Sequence, residues 1–158
     1  MPTLYLSLGT NLGDRQSNLK TALSLVSDKV GTVISQSGVF ETEPWGYRSN
    51  NAFLNQAAAV MTELTPPEAL EAIETIEKNM GRSKKSREGD YADRIIDIDL
   101  IMYDDLVIET PTLRIPHPLM QRRRFVLEPL AEFASDLIHP LLKKSVGELL
   151  EESCGYEF

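Results

Sequence analysis

The stretch Arg94-Ile95-Ile96-Asp97-Ile98-Asp99-Leu100-Ile101-Met102-Tyr103 restricts this chain more than any other. Its apolar, β-branched composition reads as a strand, and a period of two puts Asp97 and Asp99 on one face and Ile96, Ile98, Leu100 and Met102 on the other. The second face must be core. The first admits two readings. Paired acids are common on the wet side of a half-buried sheet, yet Ile95 and Ile101 flank these two, and isoleucine does not suit a solvated face. At about 3.3 Å per residue the carboxylates stand roughly 6 to 7 Å apart. An effective dielectric near 20 then leaves a repulsion on the order of 2 to 3 kcal/mol between them. A positive partner is expected, and a hard divalent cation shared with phosphate oxygens, as Mg²⁺ commonly is, would serve.

The rest of the composition narrows the setting. A chain of 158 residues can bury an ordinary core, so a single domain spanning 1–158 is expected. Its one cysteine, Cys154, has no partner for a disulfide, and no apolar run reaches membrane-spanning length. With no basic-then-apolar leader at Met1-Pro2-Thr3-Leu4, the chain reads as cytoplasmic, with no membrane partner. A net charge of -8 argues against a general nucleic-acid binder. Positive charge is nevertheless gathered in two places, Arg82, Lys84, Lys85, Arg87 and Arg94, and Arg122-Arg123-Arg124. Either cluster could be a solvated loop; the two together in an acidic protein fit a confined anion such as a polyphosphate.

Leu4 to Leu8 is a short strand entering the turn Gly9-Thr10-Asn11-Leu12-Gly13-Asp14. A helix follows with Leu19, Ala22, Leu23 and Val26 inward, Asp14 or Ser17 as N-cap and Gly31 as stop. The turn matches neither a P-loop nor a dinucleotide fingerprint and reads as structural. Thr32 to Thr42 is expected to be one strand with a bulge at Gly38, and Phe53 to Thr62 another. The long loop between them carries the only Trp, Trp45, and long loops with aromatics more often bind than merely connect. Phe53 and Asn55 share a strand face, an aromatic surface beside an amide that could read a planar heterocycle, or equally a core Phe and a strand-end Asn.

Thr65-Pro66-Pro67-Glu68 is a capping box with proline at the first helical position, opening a helix that stops at Gly81. The basic segment Arg82 to Arg94 then leads into the Asp97/Asp99 strand. Beyond Tyr103, a turn at Asp104-Asp105, a short strand Leu106 to Ile108, the segment Leu113 to Pro118, a helix from Met120 through Leu130, and a capping box at Ser145 to Glu148 are expected. His117 lies between two prolines; it reads as a turn histidine or a hydrogen-bond donor to phosphate, and the chain's histidines lack zinc-site spacing.

The order strand, helix, strand, strand, helix, strand is that of a ferredoxin-like α+β fold. The expectation is a βαββαβ core with an antiparallel sheet, both helices on one face, and C-terminal hairpin and helical additions. Asp97 and Asp99 would then line a cleft on the opposite face.

Leu8-Gly9-Thr10-Asn11-Leu12-Gly13-Asp14, Phe40 to Gly46, Phe53-Leu54-Asn55, Glu77 with Gly81-Arg82, Arg94 to Leu100, Ile115-Pro116-His117-Pro118, Arg123 and Phe125-Val126-Leu127 stand in an order and spacing that closely resembles the 6-hydroxymethyl-7,8-dihydropterin pyrophosphokinases, from about Leu4 to Pro140. The resemblance implies transfer of pyrophosphate from ATP to the hydroxymethyl group of 6-hydroxymethyl-7,8-dihydropterin, with release of AMP, in folate biosynthesis. It implies Asp97 and Asp99 as ligands of two Mg²⁺ ions bound with ATP, and Arg82 and Arg94 beside them as catalytic residues. Glu77, Lys84, Arg94, Leu100, Leu113, His117 and Arg123 would bind ATP, and Thr42, Trp45, Phe53, Asn55 and Phe125 the pterin. A monomer is expected. Two departures stand out: Lys84 replaces an arginine found in many relatives and lacks its bidentate fork, and Asp93 stands where proline is frequent. The competing readings are a two-metal phosphohydrolase using water and a non-enzymatic ferredoxin-like module binding nucleotide or RNA.

Overall fold

The computed structural model describes residues 1–42, 52–81 and 95–153. Strand β1 (Thr3–Thr10) is followed by α1 (Arg15–Lys29), β2 (Thr32–Gln36), β3 (Phe40–Thr42), β4 (Phe53–Met61), α2 (Pro66–Asn79) and β5 (Asp97–Tyr103). A small hairpin of β6 (Ile108–Glu109) and β7 (Arg114–Ile115) comes next, then a 3-10 turn at Met120–Arg122, α3 (Arg124–Ala134) and α4 (Val146–Glu152). The main sheet runs β2-β4-β1-β5, with β3 also paired to β4, and every pairing is antiparallel. With β2 and β3 taken as one interrupted strand, this is the ferredoxin-like arrangement. The expected C-terminal hairpin and helical additions are present.

Local chemistry explains most boundaries. Asp14 caps α1 by accepting from the Ser17 N–H at 3.1 Å. The Thr65/Glu68 and Ser145/Glu148 capping boxes open α2 and α4, each satisfying two otherwise unpaired N–H groups. The 32–42 strand divides around Gly38. There Ser37 Oγ accepts from the Ala57 N–H, the Ser37 carbonyl accepts from the Gln56 side chain, and the Gly38 N–H turns away to Glu132 Oε1 of α3 at 2.8 Å. The short strand expected at Leu106 to Ile108 begins later, at Ile108, because the Leu106 N–H closes a turn onto the Tyr103 carbonyl. The expected 120–130 helix is interrupted at Arg123, whose backbone is extended.

Each sheet face has its own core. On one, Leu4, Leu6 and Leu8 of β1, Leu54, Ala58 and Val60 of β4, and Ile98 and Leu100 of β5 pack against α1 and α2. The three β1 leucines are 0% exposed, and each contributes roughly 1.5–3 kcal/mol by burial. On the other face, Ala57 joins Met120, α3 and α4, so helices cover part of the sheet side where only a cleft was expected. Met102 belongs to this second core, not to the α1/α2 face to which strict alternation assigns it. A register shift is the cause: Leu6 pairs with Leu100 but Tyr5 with Met102. One extra residue, Ile101, is accommodated in β5, after which the alternation inverts. Tyr103 thereby reaches the α1/α2 side, where its hydroxyl donates to the Leu64 carbonyl at 2.6 Å. No helix among the described residues is long and apolar enough to cross a membrane.

Candidate active site

Strand register assembles the site on the second face, beyond the part covered by α3. Asp97 pairs with Gly9, Gly9 with Asn55, and Asn55 with Phe40; one step along, Asp99 pairs with Ser7 and Ser7 with Ala57. Directly opposed residues point to the same side. The acids of β5 and the amide of β4 therefore share one surface, with β1 between them. The intervening residue is Gly9, where a Cβ would sit 3.4 Å from Asn55 Oδ1 and 3.5 Å from Phe53 Cδ1. A longer side chain there would crowd Phe53 and Asn55.

Asn55 is 3% exposed, and its Nδ2 donates to Thr42 Oγ1 at 2.7 Å and, more weakly, to the Phe40 carbonyl at 3.4 Å. Those bonds fix the amide's orientation across the β3–β4 ladder, in which Thr42 pairs with Phe53. Asp97 and Asp99 are both partly exposed. From the start of α3, Arg123 brings Nη1 to 4.0 Å from Asp99 Oδ2, an ion-pair distance longer than a hydrogen bond. The same guanidinium carbon lies 5.5 Å from the centroid of the Phe125 ring, within cation–π range. Arg123 thus links Asp99 to Phe125.

A cleft of about 250 Å³ adjoins the acids, between α2 and the β7 region. Leu70, Ile73, Leu100 and Leu113 make one part apolar; Asp97, Asp99, Glu77 and His117 make another polar. Glu77 is 4% exposed and accepts from the Ile98 N–H at 2.9 Å. Its carboxylate therefore holds the backbone between the two acids, a supporting contact that sequence reasoning did not anticipate. His117 Nδ1 accepts from the Leu119 N–H at 3.1 Å, which leaves the proton of a neutral imidazole on Nε2. Burial, reinforced by the Arg123 charge and opposed by Asp97, lowers the His117 pKa to about 4. At neutral pH it is an uncharged donor.

Among the described residues no group of three or more His, Cys, Asp or Glu side chains could enclose a metal ion. Two carboxylates beside an open cleft suit Mg²⁺, which keeps several ligand positions for water and substrate phosphate. Of the site residues expected from sequence, Asp97, Asp99, Arg123, Phe125, Asn55, Thr42 and Phe53 are brought to one sheet face or its rim. Glu77, Leu100, Leu113 and His117 line the adjoining cleft. Trp45, Arg82, Lys84 and Arg94 lie outside the described residues, as do Lys85, Arg87 and Asp93. Gly9 was overlooked as a site residue; its place in a Gly-rich turn motif was the available signal, but its neighbours come from other strands.

The family model described as 7,8-dihydro-6-hydroxymethylpterin-pyrophosphokinase (HPPK) matches residues 5–135. The chain belongs to this family. A Porphyromonas gingivalis HPPK relative, named 2-amino-4-hydroxy-6-hydroxymethyldihydropteridine pyrophosphokinase, is 44% identical over 141 residues, covering 89% of this chain and 95% of the relative. An Aquifex aeolicus protein of the same name is 37% identical over 153 residues, covering 97% and 93%. The solved Plasmodium falciparum HPPK-DHPS matches 96% of this chain with 43% of its own, at a TM-score of 0.79 and 19% identity. At that identity the match establishes a shared HPPK fold.

Proposed function

We propose that this chain transfers the terminal pyrophosphate of ATP to the hydroxymethyl group of 6-hydroxymethyl-7,8-dihydropterin, releasing AMP, as a step in folate biosynthesis. The family and the names of its relatives support this reaction. The structural observation that carries it is the shared surface: Asp97 and Asp99 on β5 face the same side as Asn55 on β4, with Gly9 of β1 between Asp97 and Asn55. A phosphate-binding group and a heterocycle-reading group are thereby adjacent.

The substrate hydroxyl oxygen forms a bond to the β-phosphorus as the bond from that phosphorus to the α–β bridging oxygen breaks. AMP leaves with the bridging oxygen, and the hydroxyl proton passes to solvent. Asp97 and Asp99 would hold two Mg²⁺ ions, which when bound neutralise phosphoryl charge. In our reading Arg123 and the neutral Nε2–H of His117 bind phosphate oxygens, joined by Arg82, Lys84 and Arg94 from the 82–94 segment. Leu100 and Leu113 face the adenine, with Glu77 supporting the wall. Phe53 and Phe125 enclose the pterin ring, and Asn55, Thr42 and Trp45 recognise its edge. With little covalent work for the protein, alignment and charge are the main levers.

We further read residues 1–158 as one domain working as a cytoplasmic monomer; gel filtration coupled to light scattering tests the monomer. The activity is tested with ATP and Mg²⁺, with and without the pterin, following AMP. Pterin-dependent AMP is expected. Pterin-independent phosphate release would replace the reading with hydrolysis, and binding of RNA without turnover would replace it with a non-enzymatic module.

A further inference from the structure

Beyond the residues already assigned to the reaction, the Gly13-Asp14-Arg15 turn carries a side chain aimed at the pterin side of the site. Its position is tightly determined. Gly13 adopts a φ of 70°, and Asp14 caps the helix through the Ser17 N–H. Asn18 Nδ2 ties the turn down by donating to Thr10 Oγ1 at 3.1 Å and to the Leu12 carbonyl at 2.8 Å. Arg15, the first residue of α1, is thus held by both the strand before it and the helix it begins.

From there Arg15 Nη1 donates to the Ala52 carbonyl at 2.8 Å and to Glu41 Oε2 at 3.2 Å. These acceptors lie on β3 and immediately before β4, close to the two ends of the 43–51 segment. The next residue after each is one of those we assign to the pterin: Thr42 after Glu41, and Phe53 after Ala52. Thr42 and Phe53 are also the last pair of the β3–β4 ladder, and Asn55 is bonded across that ladder to Thr42. The Glu41 contact is an exposed ion pair, with side chains 34% and 61% exposed, and such pairs contribute little alone. The bond to the Ala52 carbonyl differs: it is partly buried, charge-assisted and directed at backbone.

We propose that Arg15 is a positioning residue for pterin recognition, fastening the open end of the β3–β4 ladder to α1 so that Thr42, Phe53 and Asn55 keep their relative places. It touches neither substrate nor metal in this assignment, which rests on the pyrophosphokinase reading. The outcome of losing it is therefore selective. Removing the fastening loosens pterin binding and leaves the ATP cleft, built from α2, β5 and the β7 region, as it was.

The test compares wild type with Arg15→Ala, Arg15→Lys and Glu41→Gln in the full chain, measuring kcat and the KM for each substrate. For Arg15→Ala the pterin KM is expected to rise about tenfold, with the ATP KM within about twofold of wild type; the tenfold corresponds to about 1.4 kcal/mol. Arg15→Lys, able to reach one acceptor, is expected to fall between, and Glu41→Gln to stay within about threefold because the Ala52 bond survives. An unchanged pterin KM in Arg15→Ala, or an ATP KM rising in parallel, overturns the proposal. Should Arg15→Ala fail to fold, Arg15→Lys decides on the same two constants. A wild type without pterin-dependent AMP would overturn the enzymatic reading itself, an outcome distinct from a working wild type whose Arg15 variants behave alike.

Discussion

The two faces of the central sheet are built from the same strands and do opposite things. On the α1/α2 side, Leu4, Leu6, Leu8, Leu54, Val60, Ile98 and Leu100 form a continuous apolar layer. On the other side β1 presents Tyr5, Ser7 and Gly9, whose partners on β5 are Met102, Asp99 and Asp97. That face changes character along its length, from the dry packing of Ile101 and Met102 among α3, α4 and Met120 to the acids beside the cleft. The comparison separates two kinds of contribution: the α1/α2 face supplies stability through area, lending its β5 edge, with Ile73 and Leu100, to the cleft, while the other face supplies reactivity by placing charge where a hydrophobic residue would stabilise more.

If the division holds, substitutions on the two faces should fail differently. The largest effect is expected for Asp97→Ala or Asp99→Ala: loss of about 10³-fold or more in turnover, equivalent to about 4 kcal/mol or more, with the thermal transition nearly unmoved. Steady-state assays at saturating Mg²⁺ with parallel melting curves check this, and full turnover in either variant would break the assignment. The reverse pattern is expected for Leu6→Ala, in the leucine layer at 0% exposure. Truncating a buried leucine costs about 2–5 kcal/mol, visible as a lower urea midpoint, while the molecules still folded keep their kcat/KM. A smaller, pH-dependent effect is expected from His117 in the ligand-free protein. Its folded-state pKa, about 4, lies below the ordinary 6.5, so the unfolded chain takes up the proton first. The associated stability is present above about pH 6.5 and is lost as pH falls towards 4, by a total on the order of 3 kcal/mol. Urea unfolding of wild type and His117→Gln across that window would show it as a difference in slope; parallel pH dependences would remove His117 from the buried, neutral class.

The legible parts of the structure are those governed by short-range rules. The Asp14 cap, the Thr65 and Ser145 capping boxes and the alternation through Asp97, Ile98, Asp99 and Leu100 involve residues within a few positions of each other. The strand–helix order sufficed for the ferredoxin-like core. Other features arise only when distant strands meet. Ile101 became the extra residue because β5 must pair with both Tyr5 and Leu6, and no local pattern distinguishes it from its neighbours. Glu77 is named for the ATP site by the family resemblance, but no local pattern shows that its carboxylate meets the Ile98 N–H, and the place of Gly9 has meaning only beside Asn55 and Phe53. The close likeness of several motifs to one enzyme family made the site residues nameable together, whereas Phe53 with Asn55, or His117 alone, would have stayed equally compatible with simple structural roles.

The extended backbone at Arg123, between the 3-10 turn and α3, also has a consequence for how the molecule is made. Synthesis delivers the sheet strands in chain order and reaches Tyr103, with both acids in place, before it reaches Arg123 and Phe125. Domains emerge from the N-terminus first, at roughly 5–20 residues per second. For an interval on the order of a second, a nascent chain therefore carries the paired carboxylates without the cation and aromatic ring that will flank them. The reactive side of the protein is among the last parts to be finished, and it is completed by a helix whose main task is to cover the neighbouring core.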